Sequence, residues 1–365
     1  MTGSELTSEQ VLLRDAVRGL LAGHAGPDPS AESEQGYDGA LWRRLCGEIG
    51  VAGLLVPESH GGAGGSLADV LVVMAELGRA LAPVPMLGSA VLATTVLLEA
   101  GDDTAGRLLP ALAAGTTVAA LAWAGEDGLW DPGQAACRAS QDPAGGWRLS
   151  GEAHYVLDGD VAGVLLVAAH APDEVAVFEV DPAAAGVTRR AVTTMDSTRR
   201  LATVSLDGAA GRPAGCGPAG LARARDLACL ALAAEQAGAA RRALEQTVAY
   251  TKERVQFGRP IGSFQALQHR MADLHVLAES AWSLCWAAAQ DGSEHGPGLR
   301  AAAARAYCSE ALLRVAGQMI QLHGAIGITW EHDAHRYFKR AHGAGQLFGP
   351  PSAHLARIAD ALLQG

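Results

Sequence analysis

Apolar positions between residue 5 and about residue 115 recur at helical spacing. Thr7-Ser-Glu-Gln10 carries a capping signal, and Val11, Leu12 and Val17 follow it at intervals that fit a helix. Further helices are predicted over 37–49, 67–81 and 94–112. Between the second and third helices of this set, Val56-Pro-Glu-Ser-His-Gly-Gly-Ala-Gly-Gly-Ser66 is a glycine-rich turn. It lacks the Gly-Lys-Ser/Thr ending and the preceding buried strand of a phosphate cradle, so it reads as a structural loop.

From about 116 to 212 the pattern shortens into strand-like runs separated by Gly, Asp and Pro. Examples are Trp147-Arg-Leu-Ser-Gly151, Val164-Leu-Leu-Val-Ala168, Val175-Ala-Val-Phe-Glu-Val180 and Leu201-Ala-Thr-Val-Ser-Leu206. A small β-barrel or sandwich is expected there. Beyond the breaker-rich Gly211–Gly220, long helices rich in Ala and Leu return over 221–256, 264–290, 298–323 and 350–363. The fold expected is α+β and mostly α: an N-terminal helical domain (1–115), a middle β domain (116–212) and a C-terminal four-helix bundle (213–365). Residues 291–298 read as an inter-helix loop, and no internal repeat is evident.

Composition narrows the function. With 365 residues, 49% of them hydrophobic, the chain can bury a large shared core. Its formal charge of −11 repels a polyanion, and no basic stripe interleaved with aromatics offsets it, so nucleic acid is not an expected partner. No apolar run approaches the roughly 18 residues of a membrane span, and Met1-Thr-Gly-Ser-Glu-Leu-Thr7 has no signal-peptide pattern; a cytoplasmic protein is expected. The six cysteines form no Cys-x-x-Cys pair, which points to buried small hydrophobes and away from disulfides or zinc. His332 and His335 share a helical face, yet no third ligand is in register and no metal site is expected.

Chemistry concentrates in two segments. Arg254-Val-Gln-Phe-Gly-Arg-Pro-Ile-Gly-Ser-Phe-Gln265 joins two helices, and Gln321-Leu-His-Gly-Ala325 ends another. Each residue alone is commonplace on a surface. Together, in this order and spacing, they resemble the Arg-x-x-Phe-Gly and Gln-x-x-Gly-Gly signatures of the acyl-CoA dehydrogenase family, with Ala325 in place of the second glycine. Leu41-Trp42 and Gly50-Val-Ala-Gly-Leu-Leu-Val-Pro-Glu-Ser-His-Gly-Gly62 are similar to the family's N-terminal helix and loop, so the resemblance spans the chain.

The resemblance implies FAD as cofactor and an acyl thioester as substrate. Arg254, Gln256, Phe257, Phe264, Gln265, Gln321, Leu322 and Gly324 are the implied cofactor contacts. A guanidinium beside amide groups and a glycine turn suits the pyrophosphate and adenosine portion. Family enzymes remove the α-proton with a carboxylate while the flavin takes the β-hydrogen. Counted from Gln321, the glutamate position falls on Phe348; the alternative site, counted back from Phe257, falls on Ala228. Asp226 is the weak remaining candidate, two residues and about 200° around the helix from Ala228.

Other departures accompany this one. The family's Thr-Glu-x-x-x-Gly-Ser loop is not legible in Ala122–Gly128, and its Trp-Ile-Thr is replaced by Tyr155-Val-Leu157. Lys339-Arg340 stands where the family shows Arg-Asp, and the loss of an internal ion pair is expected. In the family the first two signatures reach across to the flavin held by a neighbouring subunit, whereas the base and the ring-binding loop serve a subunit's own flavin. This chain therefore resembles the base-lacking subunits of heteromeric bacterial acyl-CoA dehydrogenases, with a homologous subunit as partner. The alternatives are a homomeric dehydrogenase, dimer or tetramer, with a displaced carboxylate such as Asp226, Glu331 or Asp333; a flavin-dependent natural-product tailoring enzyme; and a non-catalytic scaffold subunit. An electron-transfer flavoprotein is the implied electron acceptor for the dehydrogenase readings.

Overall fold

The structure, a computed structural model, describes residues 6–23, 37–100, 102–290 and 297–364. The expected inter-helix loop at 291–298 lies mostly outside the described residues, as does the start of the chain. Helix α1 (Ser8–Ala22) begins with the expected capping box: the Gln10 amide donates to Thr7 Oγ1, and the Thr7 amide donates to Gln10 Oε1. Helix α2 (Gly39–Arg44) runs into a π-helical turn, Leu45–Ile49, closed by Gly50 at φ 81°. Helix α3 (Leu67–Ala80) is capped by Ser66.

The glycine-rich loop before α3 folds on itself. Gly64 N donates to the Val56 carbonyl and Gly65 N to that of Leu54, so these amides are used internally. The helix predicted over 94–112 is instead two, α4 (Thr94–Ala100) and α5 (Asp102–Ala113), and a π-helical segment, Met86–Ala93, precedes them. Every residue from Met86 to Leu97 is buried, so the run shows no amphipathic period to mark its start.

Seven strands follow: β1 (Ala119–Ala122), β2 (Cys137–Gln141), β3 (Trp147–Leu157), β4 (Val164–His170), β5 (Val175–Val180), β6 (Val187–Val192) and β7 (Leu201–Pro213). Strands β2, β3, β7, β5 and β4 pair in a ring that closes between β4 and β2. A barrel, not a sandwich, results. Leu149, Val156, Val167, Phe178 and Val204 fill its interior. Strands β1 and β6 add at the margins. Neither was visible in the pattern: β1 is Ala-Ala-Leu-Ala, and β6 is largely exposed.

Helix α6 (Pro218–Glu253) is the long axis of the C-terminal bundle. A short hairpin, β8 (Val255–Gln256) and β9 (Arg259–Pro260), leads to α7 (Gln265–Ala289), α8 (Pro297–His323), α9 (Ala334–Gln346) and α10 (Pro351–Gln364). Helix α9 was not among the helix ranges predicted, although His332 and His335 were read as sharing a helical face. Its buried face is Ala334, Tyr337, Arg340, Ala341 and Ala344, too small and polar to show as an apolar stripe. Among the described residues no helix is long and apolar enough to cross a membrane. Five cysteines are buried and Cys46 partly so, all as free thiols.

Two contacts lock these parts together. Helices α3 and α6 touch backbone to backbone: a Cβ on Gly78 would lie 2.0 Å from the Glu235 carbonyl oxygen, and one on Gly238 would lie 2.0 Å from that of Ala75. Beside this crossing is a buried charge network. Arg340 pairs with Glu235 at 2.7 Å and Asp196 at 2.9 Å, and donates to Thr198; Arg199 grips the same Glu235 at 2.5 Å. Position 340 thus makes internal ion pairs, contrary to the loss expected from the sequence. The partners come from α6 and the β6–β7 loop, which no local pattern reveals.

The helix crossing yields the first prediction. Gly78→Ala and Gly238→Ala should each destabilise the fold by about 2–3 kcal/mol in urea unfolding, through overpacking. Gly317→Ala, in α8 with no atom within 4 Å of its new methyl group, should instead stabilise by about 0.5–1 kcal/mol.

Candidate functional site

Helix α6 ends with Arg254, whose extended backbone stops the helix; its carbonyl accepts from Ile261 N at 2.8 Å. Gln256 and Arg259 face each other across the β8–β9 pair, so Phe257 and Gly258 form a two-residue turn. Both have positive φ, 53° and 75°, as a hairpin turn of this length requires. Phenylalanine is an unusual choice for this conformation, and its ring is 92% exposed. The Arg259 guanidinium sits 4.1 Å over the Phe264 ring, and Phe264 caps α7, placing Gln265 in its exposed first turn. Neither Arg254 nor Arg259 makes an ion pair among the described residues.

The second segment stands beside the first. Gln321 is exposed and Leu322 buried at the end of α8, and Gly324 at φ 64° turns the chain out of the helix. Tyr250, one turn before Arg254, stacks on His323 at 4.4 Å and donates its hydroxyl to the His323 carbonyl at 3.2 Å. This pair, which no motif in the sequence marks, ties the two segments together. Ile328 and Trp330, each 72% exposed, extend the surface, and Lys339 lies 4.4 Å over the Trp330 ring. The result is an outward-facing platform of cations, amides and aromatic rings. Such a set suits phosphates and a flat heterocycle.

The positions counted for a base lie inside the protein. Phe348, 3% exposed, packs edge to face on Trp130 at 4.8 Å, and Trp130 packs on Trp123 at 5.4 Å. Trp123 Nε1 donates to the Gln134 carbonyl at 2.9 Å. Ala228 lies in the same apolar core. Asp226 pairs with Arg357 at 3.0 Å and Arg225 at 3.1 Å and lines a cavity of about 1180 Å³ between α4, α6 and the start of α8. Nearby, Tyr155 donates to the Glu126 carbonyl at 3.0 Å, and His154 N to that of Ala124 at 2.9 Å, drawing β3 onto the 122–128 loop.

The remaining candidates sit in simple structural roles. His332 Nδ1 accepts from Ala334 N, Asp333 pairs with Arg336 at 3.3 Å, and Glu331 is exposed. No cluster of three or more metal-ligating side chains occurs among the described residues.

A helical N-terminal layer, a closed β-barrel and a helical bundle with a hairpin after its first helix define an acyl-CoA dehydrogenase architecture. The chain belongs to that family of FAD-dependent oxidoreductases: residues 7–116 match the acyl-CoA dehydrogenase N-terminal domain and residues 224–363 the C-terminal domain. It is 42% identical to acyl-CoA dehydrogenase IpdE2 of Mycolicibacterium smegmatis, covering 97% of this chain and 98% of that one. Among solved structures, the steroid ACAD Tcur3481-Tcur3483 matches with 35% identity, a TM-score of 0.87 and 98% of both chains covered. The ChsE4-ChsE5 complex from Mycobacterium tuberculosis matches with 29% identity, a TM-score of 0.88 and 99% of both chains covered.

His354, in the first turn of α10, is 1% exposed, and its ring has no strong hydrogen bond among the described residues, only a weak one with the Gly349 main chain. Burial, and then the nearby Arg305, Arg357 and Arg225, lower its pKa from 6.5 to about 3. The unfolded chain therefore takes up this proton first. The associated stability is complete above pH 6.5 and is lost as pH falls toward 3. Between pH 7 and pH 5 this amounts to about 2 kcal/mol. His354→Leu should reduce the stability drop over that interval by about this amount in paired urea titrations. An unchanged drop would rule out His354 as its source.

Proposed function

We propose that this chain is the base-lacking subunit of a hetero-oligomeric acyl-CoA dehydrogenase. In this reading its 254–265 and 321–324 segments complete the FAD site of a homologous, base-bearing subunit that desaturates an acyl thioester. The observation that carries the reading is a contrast: Phe348 is sealed against Trp130, while Phe257 stands almost wholly in solvent at the tip of the hairpin.

Desaturation needs a carboxylate for the α-proton, and the flavin, where bound, supplies the hydride acceptor. Phe348 and Ala228 can take no proton, and Asp226 is engaged by two arginines. The residues at the counted ring-facing positions do not fit a flavin ring in this chain. Trp123 and Phe348 are both packed against Trp130, and Tyr155 is bonded to the 122–128 loop, so these side chains are engaged with the protein itself.

The outer platform fits the other end of the cofactor. Arg254 and Arg259 offer guanidinium groups free of carboxylate partners among the described residues, and the Gly258 turn allows close backbone approach. The similarity to the ChsE4-ChsE5 complex and to the steroid ACAD Tcur3481-Tcur3483 supports a hetero-oligomer and makes a steroid-derived acyl thioester the substrate class to test first.

The chain purified alone should carry no stoichiometric flavin absorbance, and it should gain both flavin and acyl-CoA-dependent bleaching when co-expressed with a base-bearing homologue. Arg254→Ala should lower the FAD content of that complex about tenfold or more, as expected for a lost charge-assisted phosphate contact. Full FAD content with Arg254→Ala would reduce the chain to a scaffold. Turnover by the lone chain would overturn the reading altogether.

A further inference from the structure

Helix α8 contains one charged residue within Ala301-Ala-Ala-Ala-Arg305-Ala306, a run otherwise of alanine. Arg305 is completely buried and makes no ion pair among the described residues. An uncompensated buried guanidinium is strongly unfavourable unless its hydrogen bonds are well placed. Here they converge. Nη2 donates to the Ala344 carbonyl at 2.5 Å and to the Leu347 carbonyl at 2.6 Å, while Nη1 donates to Ser309 Oγ and, at 3.3 Å, to Gln236 Oε1.

Ala344 and Leu347 are at the end of α9, where carbonyls have no partner within the helix and a positive charge is favoured by the helix dipole. The next two residues turn sharply: Phe348 has φ 61° and Gly349 has φ 97°. A non-glycine residue in the left-handed region persists only where its surroundings impose it. Arg305 holds the main chain entering the turn, and Trp130 receives the side chain on the far side.

We infer that Arg305 is the positioning residue for position 348: by gripping the Ala344 and Leu347 carbonyls it fixes the turn and the direction in which the residue-348 side chain points. Both bonds go to main-chain oxygens, so the grip is indifferent to the side chain it aims. The turn is therefore held in the same way whatever side chain stands at position 348. The inference goes beyond the partner-subunit reading and does not rest on it, because it is tested on the full chain without flavin.

The experiment compares Arg305→Met and Arg305→Lys with Phe348→Ala. Amide hydrogen exchange is measured over 344–349, over the first turns of α9 and over α6, together with the near-ultraviolet circular dichroism of the aromatic cluster. In Arg305→Met the 344–349 amides should exchange about tenfold faster or more, with α6 little changed, and the aromatic band should weaken. Arg305→Lys should restore part of both signals, since one ammonium can still reach a carbonyl. Phe348→Ala should leave exchange at 344–347 within about threefold of the parent, because the grip remains.

A comparable rise over the first turns of α9 and over α6 in Arg305→Met would overturn the inference, as would loosening of the turn by Phe348→Ala to the same degree. If the methionine variant does not fold, the lysine variant decides on the same readout: a selective rise at 344–349 upholds the inference and none overturns it.

Discussion

The contact of Gly78 with Glu235 and of Gly238 with Ala75 sets the distance between the N-terminal layer and the bundle. With hydrogen in place of two side chains, α3 and α6 approach until carbonyl oxygens fill the space of the missing Cβ atoms. That approach fixes Glu235 at the centre of the molecule, where Arg199 from the β6–β7 loop and Arg340 from α9 meet on its carboxylate. One helix crossing thus coordinates all three structural layers. Because α6 runs unbroken for 36 residues, its C-terminal end, and with it the hairpin at 255–260, inherits this placement.

From that axis the chain faces two ways. Inward, Trp123, Trp130 and Phe348 pack edge to face on one another in the core. Outward, Tyr250 and His323 draw two separate segments into one exposed platform. The division suits a subunit that contributes a surface to a site it does not enclose. The Arg305 contacts to the Ala344 and Leu347 carbonyls brace the turn that carries Phe348 into this inward-facing cluster.

The order of helices, strands and helices was legible because capping residues, glycine breaks and a change of period mark its transitions. The Arg254 and Gln321 segments stand out as motifs because the residues of each are close in sequence; that the fold sets them side by side could not be read there. Strand β6 and helix α9 were not legible. Their hydrophobic signal is weak, since β6 lies at an edge and α9 buries an arginine and several alanines. The Arg340 network and the aromatic plug were hidden for another reason. Asp196, Glu235 and Arg340 are brought together only by the tertiary fold, as are Trp123, Trp130 and Phe348. A lone arginine in an alanine run was the one sequence signal for Arg305, and its partners could not be read from it.

The exposed platform also carries a burden for the free chain. Val255, Phe257, Ile328 and Trp330 present apolar surface to water around the two segments. Uncovered surface of this kind promotes self-association. If a homologous subunit covers this surface, as proposed above, a cell making the chain in excess of that complement would accumulate an aggregation-prone species, and balanced synthesis of the two would be a solubility requirement.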